Sequence, residues 1–239
     1  MDVRGRGALI TGASKGLGAA LAYELARRGA RVALVARGVD ELERTAARIR
    51  AAGFEAHALP ADVGDKRALH GIAGAAAALV GPIDILVHNA SDLGPTPLRL
   101  LLDTECEDLE SVLQTNLVGP FRLTKIVAGA MAMRGAGLVV HVSSDAAVAA
   151  YPRWGIYSVS KAALDHLNRL WAVELASTGV RFVSVDPGEM DTEMHAAAMP
   201  DADRGKLLRP QDVAARVARL IEDAERIESG SRLALAELP

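Results

Sequence analysis

Tyr157 and Lys161 stand four residues apart in Tyr157-Ser158-Val159-Ser160-Lys161, a spacing that puts both on one face of a helix. A free tyrosine hydroxyl, with a pKa of about 10, is a poor base at neutral pH. A cation about 4 Å away, at an effective dielectric near 20, would favour the phenolate by about 4 kcal/mol, or about three pKa units. The expectation is a general acid–base with its pKa drawn towards neutrality by Lys161. Alone, the pair proves nothing, because Tyr and Lys meet at this spacing on many helix surfaces. Two further residues give it weight. Ser144 closes the run Gly137-Leu138-Val139-Val140-His141-Val142-Ser143-Ser144, thirteen residues before Tyr157, so its hydroxyl should emerge where a strand ends. Asn116, in Gln114-Thr115-Asn116-Leu117-Val118-Gly119, brings a side-chain amide into a helical stretch, where asparagine is mildly unfavourable.

A second constellation lies at the chain start. Thr11-Gly12-Ala13-Ser14-Lys15-Gly16-Leu17-Gly18 falls between an apolar run and a helical pattern. Glycines there permit a tight turn and close backbone approach, and free amides at the helix N-terminus can hold a diphosphate. The spacing differs from GxGxxG and lacks the Gly-Lys-Ser/Thr ending of a triphosphate loop. A glycine-rich turn alone is a weak signal, but one that opens a βαβ unit is much stronger. The end of the second apolar run bears on cofactor choice. An NAD site usually has an acid there for the ribose 2′-hydroxyl; this chain has Ala36-Arg37. The planar fork of Arg37 suits a 2′-phosphate, and Lys15 could approach the same group. Two cations and no acid predict NADP(H). Asp62 could bond the adenine amino group or simply cap the next turn.

Residues so placed need strands that end together. Short apolar runs at Gly7–Ile10, Arg31–Ala36, Glu55–Leu59, Ile83–His88, Leu138–Ser143, Val180–Val185 and Arg232–Leu235 alternate with helical patterns. Helices are expected to Arg28, over Asp40–Ala52, Asp65–Val80, Thr104–Arg134 (bent near Gly119-Pro120), Tyr157–Ser177 and Gln211–Glu222. Near-continuous apolar strands between helices predict an α/β fold: a Rossmann-type, doubly wound parallel sheet of about seven strands with helices on both faces. No shift in composition marks a boundary, so residues 1–239 are expected to form a single dinucleotide-binding and catalytic domain. Gly188–Pro210 is the least regular stretch and is expected to be a substrate-binding loop or lid at the carboxyl edge of the sheet.

Composition narrows the function. The chain has 239 residues, net charge −3 with acids and bases interspersed, and 3% aromatics, which argues against a nucleic-acid partner. No apolar stretch reaches membrane-spanning length and no signal-peptide core precedes Thr11, so a cytoplasmic protein is expected. The single cysteine, Cys106, excludes an intrachain disulfide or a cysteine zinc site, and no metal is expected. His88 and His141 are expected to be structural, and Met131 and Met133 to be packing residues.

Taken together the motifs resemble the short-chain dehydrogenase/reductase family over essentially the whole chain. TGASKGLG at 11–18, DV at 62–63, HNAS at 88–91, QTNLVG at 114–119, VSS at 142–144, YSVSK at 157–161 and DPGEMDT at 186–192 carry the resemblance. It implies an oxidoreductase that moves a hydride between NADP(H) and a small carbonyl or alcohol. Asn116, Ser144, Tyr157 and Lys161 would be the catalytic tetrad: Tyr157 exchanging the proton, Ser144 bonding the same oxygen, Lys161 holding the nicotinamide ribose, and Asn116 anchoring a water that links Lys161 to solvent. Cofactor contacts would come from Gly12, Ser14, Lys15, Gly16, Leu17, Gly18, Arg37, Asp62, Val63, Asn89, Ala90, Tyr157, Lys161, Pro187, Gly188, Met190 and Thr192. Substrate contacts would come from Ser144, Trp154, Met194 and His195, and a homodimer or homotetramer is implied. The same tetrad serves reductases of C=N and activated C=C bonds, and a non-catalytic NADP(H)-sensing protein is the alternative outside enzymology. Three departures stand out. His88 and Ser91 replace the usual first asparagine and the glycine of Asn-Asn-Ala-Gly, and Asp186 the usual asparagine before Pro187-Gly188.

Overall fold

The computed structural model describes residues 1–237. Seven parallel strands form one sheet: β1 (Gly7–Thr11), β2 (Arg31–Ala36), β3 (Ala56–Pro60), β4 (Ile83–His88), β5 (Gly137–Val142), β6 (Val180–Asp186) and β7 (Arg232–Ala234). Their order across the sheet is β3-β2-β1-β4-β5-β6-β7. The direction of winding reverses between β1 and β4, which leaves a crevice outside the carboxyl ends of these strands.

The strands are buried on both faces, and the alternation of side chains sends each set to a different layer. Ala8, Ile10, Val32, Leu34, Val140 and Val142 join one core, with α1 (Gly16–Arg27), α2 (Val39–Ala51) and α8 (Pro210–Glu222) above it. Leu9, Ala33, Val35, Leu86, Val139 and Phe182 join the other, against α3 (Leu69–Val80) and α5 (Gly119–Arg134). In α1, Leu17, Leu21 and Leu25 recur at four-residue intervals and are all buried. Each such side chain contributes about 1.5–3 kcal/mol by leaving water.

Three expectations need correction. The helical region from Thr104 is α4 (Cys106–Leu113), a π-helical turn over Gln114–Val118, and then α5. Its irregularity precedes Gly119-Pro120. The widened turn brings Asn116 to the interior, and Gly119 starts α5 so close to Val63 that an added Cβ would lie 2.5 Å from the Val63 carbonyl oxygen. Gly188–Pro210 is not irregular throughout. It contains α7 (Glu193–Ala198), N-capped by the Thr192 hydroxyl, and Met190 pairs with Leu208 in a parallel bridge across its base. Met131 is buried as expected, but Met133 is 91% exposed, because two residues along a helix turn the side chain to the far side. Among the described residues the longest helix is α6 (Gly155–Glu174), and Tyr157 and Lys161 occupy its first two turns.

Candidate active site

A cleft of about 1300 Å³ runs along the carboxyl ends of the strands, from Arg37 past the glycine turn to Tyr157 and α7. Every site residue expected from the sequence lines it, except Gly18 and Asn116.

The glycine turn is shaped by backbone contacts. Gly12 and Gly16 have φ of +65° and +56°, values that L side chains rarely adopt. A Cβ on Gly12 would lie 2.7 Å from Ala90 Cα. Asn89 does not point into open space. Its amide donates to the carbonyls of Thr11 (3.0 Å) and Gly12 (2.9 Å). The Thr11 hydroxyl accepts from the amides of Asn89 and Ala90 and donates to the Val87 carbonyl. Gly18 sits behind the turn, where a Cβ would meet the Gly12 carbonyl oxygen at 2.3 Å. The Thr45 hydroxyl on α2 donates to the Ser14 carbonyl at 2.8 Å. No side chain caps the first turn of α1, so its amides remain available to a diphosphate.

At the outer end of the cleft Arg37 is exposed. Lys15 is engaged elsewhere: its ammonium donates to the Glu193 carboxylate of α7 at 2.5 Å, which lowers the Glu193 pKa and raises that of Lys15. Asp62 Oδ1 accepts from the Gly64 amide at 2.8 Å, the capping role foreseen as one of two options. These features fit a dinucleotide: a turn with glycines where a Cβ has no room, uncapped helix amides and a cation beyond the end of β2.

The reaction end is built from β5, α6 and the loop after β4. Ser144 Oγ donates to Asp145 Oδ1 at 3.0 Å and accepts from the Ala146 amide at 3.2 Å. Tyr157 is buried, and its phenol meets the hydroxyls of Ser144 and Ser91, both of which favour ionisation. Burial outweighs them and pushes the phenol up to about 12, with the charges of Asp145 and Asp186 adding to the rise. Lys161 Nζ donates to the Val142 carbonyl at 2.7 Å and lies 5.5 Å from the centroid of the Tyr157 ring. Burial also lowers the Lys161 ammonium to about 8, against an opposing pull from Asp165. The expected depression of the tyrosine pKa is therefore not realised here: desolvation of the phenolate exceeds the pull of the two serine hydroxyls, and the Lys161 ammonium is held against a carbonyl. The Asn116 side chain has protein partners. Its Oδ1 accepts from the Asp92 amide (2.7 Å), and its Nδ2 donates to the Asp92 carbonyl (2.8 Å) and Ser160 Oγ (2.9 Å). That side chain clamps Asp92 to α6.

The cleft beside Tyr157 carries an apolar cluster. Leu93, Ala146 and Tyr157 form a cluster joined by Leu98, Trp154, Met194 and Ala198, and the Trp154 ring lies edge-on to Tyr157 at 5.7 Å. Met194 and His195 come from α7, and His195 Nε2 is 3.7 Å from Glu189.

Sequence reasoning noted Ser91 for a hydroxyl where glycine is usual, and missed Asp165 and Arg232. Arg232 Nε donates to Asp165 Oδ2 at 3.0 Å, and its Nη2 to Asp186 Oδ2 (2.9 Å) and the Ser144 carbonyl (2.8 Å). The acid at position 186 was the only hint of such a partner. His88 and His141, expected to be structural, are buried, stacked at 5.1 Å and bonded to Thr124 and Asn168 respectively.

A parallel sheet with a glycine turn at its switch point, facing a Ser–Tyr–Lys group, defines a doubly wound fold of the dinucleotide-binding type. Residues 6–203 match the short chain dehydrogenase family, and the chain belongs to it. A cis-4-hydroxycyclohexanecarboxylate dehydrogenase from Sinomonas cyclohexanicum is 34% identical over 96% of this chain and 94% of its own length. A glycine betaine reductase from Emericella nidulans is 33% identical over 93% of this chain, which spans 18% of that longer protein. Among solved structures, NAD⁺-bound xylitol dehydrogenase has a TM-score of 0.88 at 25% identity, covering 98% and 99% of the two chains. A variant of actinorhodin polyketide ketoreductase with NADPH has a TM-score of 0.88 at 30% identity, covering 95% and 94%. The chain is thus an oxidoreductase of a family acting on alcohols and ketones, whose members hold NAD in some structures and NADP in others. Among the described residues no helix is long and apolar enough to cross a membrane.

Proposed function

We propose that the chain is an NADP(H)-dependent carbonyl reductase or alcohol dehydrogenase in which Tyr157 moves the proton. The observation that carries this reading is the meeting of Ser144, Tyr157 and Lys161 in one cleft with the uncapped first turn of α1. The first-turn amides of α1 would hold the diphosphate, Arg37 the 2′-phosphate, and Pro187, Gly188 and Thr192 the nicotinamide side. Bound there, the cofactor supplies or takes the hydride. In the reductive direction, a phenol near pKa 12 remains protonated at neutral pH and can donate to the carbonyl oxygen as negative charge develops on it. Ser144 Oγ turns from Asp145 to donate to the same oxygen. The Lys161 ammonium stabilises the phenolate left behind. The segment 188–210 closes the substrate side with Met194 and His195 from α7, and Trp154 forms the facing wall. A small apolar-bodied ketone or alcohol suits this cluster.

Tyr157→Phe should lower NADPH-dependent turnover on a ketone and aldehyde panel by about 10²–10⁴-fold. Wild-type rates in that variant would refute the mechanism. For the cofactor, NADPH should bind at least about tenfold more tightly than NADH, a gap of about 1.4 kcal/mol, and Arg37→Asp should shrink it. Tighter binding of NADH to the wild-type protein would overturn the assignment of Arg37.

Exposed apolar side chains support self-association. Phe121 on α5, and Val159, Leu170 and Val173 on α6, are 41–76% exposed. A second copy of this chain is the partner proposed for them, giving a homodimer or homotetramer. The single cysteine suits the reducing cytoplasm proposed as its location.

A further inference from the structure

Arg232 lies on β7, an edge strand of three residues, yet its side chain is only 16% exposed. Its guanidinium meets three segments that each carry part of the reaction end. The Ser144 carbonyl belongs to the residue whose hydroxyl faces Tyr157. Asp186 immediately precedes Pro187-Gly188, and its Oδ1 also accepts from the Gly188 amide at 3.0 Å, which sets that turn. Asp165 lies one helical turn beyond Lys161 on α6, and its Oδ2 also accepts from Ser143 Oγ at 2.8 Å. The side chains of Asp165 and Asp186 are 4% and 8% exposed, and two carboxylates so buried require a cation between them. Where this family usually has asparagine, the chain has Asp186 together with a charge to match it.

We propose that Arg232 is a positioning residue for the reaction centre. One guanidinium holds Ser144, the turn at Asp186–Gly188 and helix α6 in a fixed relation and neutralises the two carboxylates beneath them. The planar fork matters, because its donors diverge to three acceptors at once. The charge matters separately. The titratable and charged groups around Lys161 are Asp165 on its own helix, Tyr157 one turn earlier and His141 on β5. With Arg232 removed, the charge of Asp165 acts on Lys161 without compensation.

The kinetic part of the test rests on the carbonyl–alcohol reading above, and the spectroscopic part does not. The Lys161 ammonium is followed by NMR titration of the five lysines, assigned with Lys161→Arg. In Arg232→Gln its pKa should rise by about one unit, and in Arg232→Lys it should stay within about 0.3 unit of wild type. On the best panel substrate, Arg232→Gln should lower kcat at least about tenfold with KM changed less than about threefold. Arg232→Lys should recover part of that loss, since it restores charge but not the fork. If Arg232→Gln melts at a lower temperature yet keeps the wild-type kcat and Lys161 titration, Arg232 is a peg for the edge strand and the proposal fails. If that variant does not fold, Arg232→Lys decides: kcat should fall about three- to tenfold, and an unchanged kcat overturns the proposal. If wild type turns over nothing on the panel, the functional reading fails while the lysine titration still judges Arg232.

Discussion

The two ends of the cleft are held by different means. At the glycine turn the bracing is almost entirely neutral and short-range: amides, carbonyls, one asparagine and two threonine hydroxyls, with glycines where a Cβ has no room. At the reaction end the bracing is ionic and buried, with Arg232 between Asp165 and Asp186, and Lys161 and the two histidines close by. The contrast fits the roles proposed for the two ends. A diphosphate needs a fixed row of N–H groups, which sterics alone can position. Proton exchange needs groups whose pKa values are set by fields, and fields are set by charges withdrawn from water. The first end should be sensitive to volume, the second to charge and pH.

The largest effect should come from volume at the neutral end. Gly18→Val places a Cβ at 2.3 Å from the Gly12 carbonyl oxygen and 2.5 Å from Asn89 Nδ2, so backbone must move. Gly18 lies outside the cleft, yet dinucleotide affinity should fall by about a hundredfold or more, with about 1–3 kcal/mol of stability lost. Calorimetric titration and urea unfolding measure the two. A dissociation constant within about threefold of wild type would show that the turn tolerates a displaced helix start, and the contrast between the ends would lapse.

Charge at the other end should show in acid. Burial lowers the His141 pKa from 6.5 to about 4, and burial together with its partner His141 also lowers His88. Both are therefore neutral in the folded protein at pH values where the unfolded chain has begun to protonate them. Their contribution is fully present above about pH 6.5 and is lost as pH falls from 6.5 towards 4. For His141 alone this amounts to about 2 kcal/mol between pH 7 and pH 5. His141→Gln should flatten that slope. Hydrogen exchange at pH 5 should open β4 and β5 before β2 and β3; the reverse order would place the acid-sensitive region elsewhere.

How much of this was legible in the sequence also divides between the two ends. Strand positions and the glycine turn could be read locally, because apolar runs and glycine spacing express constraints that act within a few residues. Ser144, Tyr157 and Lys161 were legible for the same reason: each sits at a strand end or a helix start with a recognisable neighbourhood. Arg232 was not. It reaches Asp165 and Asp186 across 67 and 46 residues of chain, and nothing near Ser231 or Leu233 signals that. The direction of the Tyr157 shift was missed because spacing reveals the neighbouring cation but not the depth of burial, and burial is the larger influence. Asn116 was correctly placed in a helical stretch, but its hydrogen-bond partners depend on a π-helical turn that no residue pattern announced.

The smallest effect concerns an ionic contact between the glycine turn and α7. Lys15 on the glycine turn pairs with Glu193 on α7, and both side chains are more than half exposed. Exposed pairs contribute little, from about 0 to 1 kcal/mol, so Glu193→Gln should leave the melting temperature nearly unchanged. Its effect should fall on binding instead. Glu193 competes with any phosphate for the Lys15 ammonium, and removing that acid should tighten NADPH about two- to threefold and NADH less. The difference should shrink at high salt, as expected for a solvent-screened interaction. Equal gains for both dinucleotides would mean that Lys15 serves the shared diphosphate, leaving Arg37 as the sole discriminator. Weaker binding of both would mean that the contact holds α7 over the cleft, and the neutral end would then depend on a charge after all.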